Sequence, residues 1–112
     1  MSEKKKLYFE LPQVERFFEE MPPEVRNEYD MIVSMLEKNG TLVMPYGEKI
    51  QGKNLFAVRV IQTANIRVFY VYGMEDHVYG LHAYHKKTQK IPKHEMDLAE
   101  KTVRILRKAG KI

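Results

Sequence analysis

The hydrophobic period of this chain changes sharply at Asn39-Gly40. Before that point apolar residues recur every three or four positions: Val14, Phe17, Phe18 and Met21, then Val25, Tyr29, Ile32, Val33 and Leu36. After it, Leu55 to Ile61 and Ile66 to Tyr72 are dense in β-branched and aromatic residues and read with a period near two. The two periods place side chains on different faces and cannot be exchanged. The stretch from Val14 to Leu36 must therefore build helices, and the stretch from Leu55 to Tyr72 a sheet.

Punctuation residues divide these runs. Lys4 to Leu11 alternates as a short strand, with Leu7, Phe9 and Leu11 on one side. Pro12 can open a helix, because the N–H it lacks has no partner at a first helical position. Pro22-Pro23 breaks that helix and starts another, and Gly40 can take the left-handed conformation that ends it. Gln62 to Asn65 is short enough for a hairpin turn, Gly73 to Asp76 is a second turn, and His77 to Tyr84 reads as a third strand. Pro92 opens a last helix with Met96, Ala99, Val103 and Leu106 inward, and Gly110 closes it. Acids Glu95, Asp97 and Glu100 lie early in that helix and Arg104, Arg107 and Lys108 late, which suits its dipole. The expected fold is α+β in the order β-α-α-β-β-β-α. An antiparallel sheet is packed by an N-terminal helical hairpin and a C-terminal helix, in one domain spanning residues 1–112.

The chain has no cysteine, which excludes disulfides and thiolate metal sites. No apolar run approaches the ~20 residues of a membrane span. The basic start is followed by no long apolar run, which argues against a secretory signal. The net charge of +4 is modest, but it is unevenly placed. Between Gln51 and His94 stand Lys53, Arg59, Arg67, Lys86, Lys87, Lys90 and Lys93 against only Glu75 and Asp76. Cations gathered on one part of a fold attract polyanions or acidic proteins.

Arg59 and Arg67 each interrupt an apolar strand. Such an arginine must reach solvent, a carboxylate or a ligand. A hairpin register could bring both to one face, with Lys86 and Lys87 delivered to the end of the next strand, so that the four surround one phosphate. The alternative is a polar outer face whose arginines pair with helix acids. Lys53, Lys90 and Lys93 extend the basic surface as candidate RNA contacts. Tyr84, beside the lysines, is the candidate for stacking on a base, whereas Phe69 or Tyr70 belongs in the core. His82 and His85 would point to opposite faces of a strand, so no shared metal is expected. A neutral imidazole at His85 could accept a proton near neutral pH.

These landmarks together resemble the HigB/RelE superfamily of type II toxins, in its phage-derived HigB-like branch. The resemblance runs from about Phe9 to Leu106. It rests on Val14-Glu15-Arg16-Phe17-Phe18, the stop at Asn39-Gly40, Leu55-Phe56-Ala57-Val58-Arg59-Val60, Ile66-Arg67-Val68-Phe69-Tyr70, and above all Leu81-His82-Ala83-Tyr84-His85-Lys86-Lys87-Thr88-Gln89-Lys90-Ile91-Pro92. It implies a RelE-like fold and a cytoplasmic, ribosome-dependent mRNA endoribonuclease (an mRNA interferase). Such a protein is silenced by a cognate antitoxin of helix-turn-helix type and uses neither metal nor cofactor. By position, Arg59 and Arg67 match basic residues that hold the scissile phosphate. Lys86 and Lys87 match the basic strand end that stabilises charge or protonates the leaving oxygen.

Two positions depart from the pattern. Ala57 stands where the family commonly has Glu, which makes Glu48 and His85 the candidate bases. No tyrosine follows Tyr84, where some relatives have a catalytic one. Two other readings stay open: a non-enzymatic ParE-like inhibitor, and a catalytically silent RNA- or protein-binding module of the same fold.

Overall fold

The structure is a computed structural model that describes residues 5–112. Its elements are β1 (Leu7–Glu10), α1 (Pro12–Glu19), α2 (Pro23–Asn39), β2 (Gly47–Lys49), β3 (Phe56–Val60), β4 (Ile66–Tyr72), β5 (His77–His85) and α3 (Lys93–Lys108). This is an α+β fold, compatible with the RelE-like arrangement. Lys4, the expected first residue of the first strand, lies outside the described residues.

The two helix starts and the stop of α2 behave as their residues require. Pro12 and Pro23 each open a helix without a side-chain cap. Gly40 ends α2 in the left-handed region at φ 80°, and its N–H bonds to the Leu36 carbonyl at 2.7 Å.

The five strands form one sheet in the order β1-β5-β4-β3-β2. Two features correct the expected topology. β2 is an additional strand, three residues long, which pairs antiparallel with β3 through Gly47↔Val58, Glu48↔Ala57 and Lys49↔Phe56. A run that short has no measurable period, and pairing alone makes it a strand. The sheet is also mixed rather than wholly antiparallel, because β1 lies parallel to β5. Strand direction at that edge is set by where the helical hairpin returns the chain, which local pattern does not encode. The outer edge of β1 is covered: the Tyr8 N–H donates to the Glu37 carboxylate of α2 at 2.8 Å and the Lys6 N–H to the Glu37 carbonyl at 2.9 Å. A carboxylate there blocks pairing with another strand.

The sheet is covered on both faces. On one, α1 and α2 bury Val14, Phe18, Val25, Tyr29, Ile32 and Leu36 against Val58, Val60, Ile66, Val68 and Tyr70. On the other, α3 brings Ala99 and Leu106 down onto Ala57, Phe69, Val71, Leu81 and Tyr84. β5 carries a bulge: Phe69 pairs with His82 but Tyr70 with Gly80, leaving Leu81 as the extra residue. Leu81 packs in the α3-side core, and His82 also turns to that side.

Candidate functional site

The register of the β3–β4 hairpin sets Arg59 directly opposite Arg67, and Arg67 in turn opposite Tyr84 of β5. The Arg59 N–H bonds outward to the Tyr46 carbonyl at 2.8 Å. Arg59 and Arg67 therefore form the non-hydrogen-bonded kind of cross-strand pair, in which side chains lie closest. Both share the α3 side with Ala57, Phe69 and Tyr84. Two like charges so placed repel and need a counter-ion.

Glu48 of β2 supplies it, to one arginine only. Arg67 Nε donates to Glu48 Oε1 at 3.0 Å and Nη2 to Glu48 Oε2 at 3.4 Å. Nη1 donates to the Tyr84 hydroxyl at 2.8 Å, and Nη2 also to the Gln89 carbonyl at 3.3 Å. Arg67 is 2% exposed. Burial by itself would lower the pKa of its guanidinium, but the Tyr84 and Glu48 contacts outweigh it and hold the group above its ordinary value. Glu48 stands opposite Ala57, whose side chain is a buried methyl. That methyl leaves room for a carboxylate from the neighbouring strand to reach Arg67. A carboxylate thus enters from β2 beside the position where the expected strand glutamate is absent.

Arg59 has the opposite fate. Its Nε is buried and has no hydrogen-bond partner, the one such side-chain atom among the described residues. Buried donors are almost always satisfied, so an orphan asks for a ligand or a water. Lys86 is 8% exposed, with no ion pair among the described residues, and its backbone N–H bonds to the Asn65 carbonyl at 2.8 Å, which fixes the strand end beside the β3–β4 turn. Lys87 is exposed and carries no ion pair among the described residues.

Other sequence candidates lie elsewhere or are engaged. Tyr84 is 5% exposed, with its ring against Phe69 and His82. It holds Arg67 and offers no open surface to a base, because the strand pattern buries it once α3 covers that side. His85 is exposed on the other sheet face, its ring 5.0 Å from that of Phe17 in α1. It does not converge with Glu48 and Arg67. His82 faces α3, with Nε2 2.6 Å from Glu95 Oε1. Lys53 pairs with Glu100 of α3 at 2.6 Å, and Lys93 with Asp97 at 2.8 Å. Lys90 is exposed. Among the described residues no three His, Cys, Asp or Glu side chains group as a metal site would need, and no helix is long and apolar enough to cross a membrane.

Two features of the arrangement escaped the sequence. One is the Arg67–Tyr84 bond, which needs the β4–β5 register. The other is the pair Arg104 and Arg107, whose late position in α3 was fully accounted for by the helix dipole. Both line a cleft with Lys53. What the cluster can do chemically is therefore asymmetric: a rigid Glu48–Arg67–Tyr84 unit sits beside Arg59, whose buried Nε remains able to donate to an anion.

No curated protein matches the chain. The family model described as phage-derived protein Gp49-like (DUF891) matches residues 16–104, from α1 into α3, a span that includes every candidate residue above from Glu48 to Lys93. The chain belongs to that Gp49-like family, a toxin-like family of RelE/HigB type.

Proposed function

We propose that this protein is the toxin of a type II toxin–antitoxin system and acts as a HigB-like, ribosome-dependent mRNA endoribonuclease. In this reading the 2′-hydroxyl of the substrate ribose attacks the adjacent phosphorus. The new 2′-O–P bond forms as the P–O5′ bond breaks, leaving a cyclic phosphate. Arg59, Lys86 and Lys87 stabilise the charge that grows on the phosphoryl oxygens. Glu48 takes the 2′-hydroxyl proton, and a lysine of the strand end returns one to the leaving oxygen. Arg67 is a positioning residue: it fixes the Glu48 carboxylate and the Tyr84 hydroxyl. Codon and ribosome would supply the alignment of the linkage, which lets a small cationic site suffice. The cognate antitoxin, of helix-turn-helix type, would silence the toxin, and the site of action is the cytoplasm.

The observation that carries this reading is the orphaned Nε of Arg59, buried opposite an Arg67 that is already neutralised. The test is induced expression with mapping of transcript ends. Growth arrest with cuts in translated messages is expected, lost in Arg59→Ala and Lys87→Ala. Equal toxicity of those variants and the parent would refute the site. DNA damage without transcript cuts would point to a ParE-like inhibitor instead.

One observation favours a second reading, that of an RNA-binding module without catalysis. Arg67 is engaged at all three nitrogens by the protein itself, so it has less to offer a substrate. Strongly salt-dependent RNA binding with no product would select this reading.

A further inference from the structure

Beyond the Arg59–Arg67 cluster, the β2–β3 loop and the second half of α3 enclose a cleft of about 370 Å³. Lys53 and Leu55 line it from the loop, and Glu100, Val103, Arg104 and Arg107 from the helix. Its floor is apolar, with Leu55 buried and Val103 half-buried. Its rim is cationic. The single lining carboxylate, Glu100, is taken by Lys53 Nζ at 2.6 Å. Arg104 and Arg107 are exposed, and neither makes a hydrogen bond or ion pair among the described residues.

The loop that forms one wall is pre-shaped. The Ile50 N–H bonds to the Leu55 carbonyl at 2.9 Å and the Lys53 N–H to the Ile50 carbonyl at 3.1 Å. Lys49 Nζ caps the Lys53 carbonyl. Gly52 turns the loop at φ 76°. The Lys53–Glu100 pair then fastens this wall to the helix. A favourable helix dipole alone would explain Arg104 and Arg107 on α3. It does not explain why a separate, internally braced loop brings a third cation to them across a concave, apolar-floored space.

We propose that this cleft is a second phosphate-binding station, which holds a linkage of the same single-stranded RNA away from the one at Arg59. Arg104 and Arg107 grip the phosphate, and the ribose or base rests on Leu55 and Val103. The inference rests on the RNA-directed reading above. Leu55 lies four residues before Arg59, roughly 13 Å along an extended chain at about 3.3 Å per residue, a span that a short RNA segment bridges. Residues three apart on a helix are surface neighbours, so the two guanidinium groups can share one phosphate or divide two adjacent ones. The apolar floor favours a nucleotide over a plain acidic peptide, which would have no use for it.

The test is fluorescence anisotropy of the full chain with a short labelled single-stranded RNA across a series of salt concentrations. The variant Arg104→Gln/Arg107→Gln keeps both residues helix-compatible, and circular dichroism checks its fold. The variant is expected to bind RNA about ten-fold more weakly. Its salt slope should be shallower, by about 0.7 for each phosphate that is no longer gripped. Parent-like affinity and slope in the variant would overturn the proposal, as would an RNA affinity of the parent that does not fall with salt. Oligoglutamate is the second probe: if the variant loses oligoglutamate and keeps RNA, the cleft serves an acidic protein partner and the proposal fails. Transcript mapping separates this failure from that of the enzymatic reading. A parent that cuts messages while the variant binds RNA normally removes only the cleft. A parent that binds RNA through the cleft and cuts nothing removes only the nuclease.

Discussion

The two faces of the sheet are built on different rules. The face under α1 and α2 is a dry apolar core, with Val14, Tyr29, Leu36, Val58, Val60 and Val68 all fully buried. Its polar groups are closed on the protein itself: the hydroxyls of Tyr8 and Tyr29 lie 2.5 Å apart, the Tyr72 hydroxyl donates to the Gly40 carbonyl at 3.0 Å, and burial holds the Tyr29 phenol well above its ordinary pKa. The face under α3 has a smaller apolar patch and, beside it, two arginines, a carboxylate, a tyrosine hydroxyl and a His–Glu pair. The lesson is a division of labour. Apolar burial is non-directional and stabilises the fold wherever it is placed. Charge can be held at a fixed spot only where neighbouring dipoles and counter-ions are fixed too, and such a site is costly to build.

Substitutions can break this contrast, and the largest loss should fall on the dry face. Leu36→Ala removes a fully buried side chain from the hairpin core and should cost about 3 kcal/mol. Chemical denaturation would measure it. A loss under about 1 kcal/mol would mean that this face is not the main source of stability.

Next comes Arg67→Ala on the charged face, with an expected cost of about 2 kcal/mol, because it strands the Tyr84 hydroxyl and the Glu48 carboxylate. Arg67→Lys keeps the charge but loses the fork and should recover only part of that. Full recovery by lysine would show that charge alone matters and that the Glu48–Arg67–Tyr84 geometry does not.

Smaller still is Glu28, which latches α2 to the β3–β4 turn. Its carboxylate accepts the N–H groups of Ile61, Gln62 and Thr63 and the Thr63 hydroxyl at 2.7–3.0 Å. Burial alone would raise its pKa; these hydrogen bonds outweigh burial and lower it. A carboxyl depressed in the folded state stabilises the protein above the unfolded-state pKa, near 4.3, and that stability is lost as pH falls through the folded value. Glu28→Gln should cost about 1 kcal/mol at neutral pH, and the difference from the parent should shrink as the pH drops below about 4. A gap that stays constant from neutral to acidic pH would contradict the latch.

The smallest effect on stability should come from Arg59→Ala, within about 0.5 kcal/mol, since the side chain has an unsatisfied buried donor to lose. The same variant should abolish growth arrest if the proposed reaction is right. A large loss of stability there would move Arg59 from the functional to the structural side of the comparison.

Most of the architecture was legible in the order of residues. Helix spacing from Val14 to Leu36, Gly40 as a stop, the two β-rich runs and their short turn all act within a few positions, where backbone sterics and side-chain period operate. The opposition of Arg59 and Arg67 followed from the hairpin. β2 was not legible, because three residues carry no period. The parallel placement of β1 was hidden because it depends on a partner 70 residues away in Leu7↔His77. The candidate site was half legible. Its cations and Glu48 could be named, but not which arginine would be neutralised, nor that Tyr84 would be buried as a hydrogen-bond acceptor.

The sequence by itself determined the class of fold, the covered faces of its helices and the concentration of positive charge after Gln51. These follow from local periodicity and composition, which need no knowledge of distant neighbours. Only the tertiary structure decided that Glu48 reaches past the Ala57 methyl to Arg67 and leaves the Arg59 Nε without a partner among the described residues, and that Lys53 meets Arg104 and Arg107 across a cleft. An ion pair or a pocket depends on angström-scale distances between strands and helices far apart in the chain, and those distances exist only once the sheet is assembled.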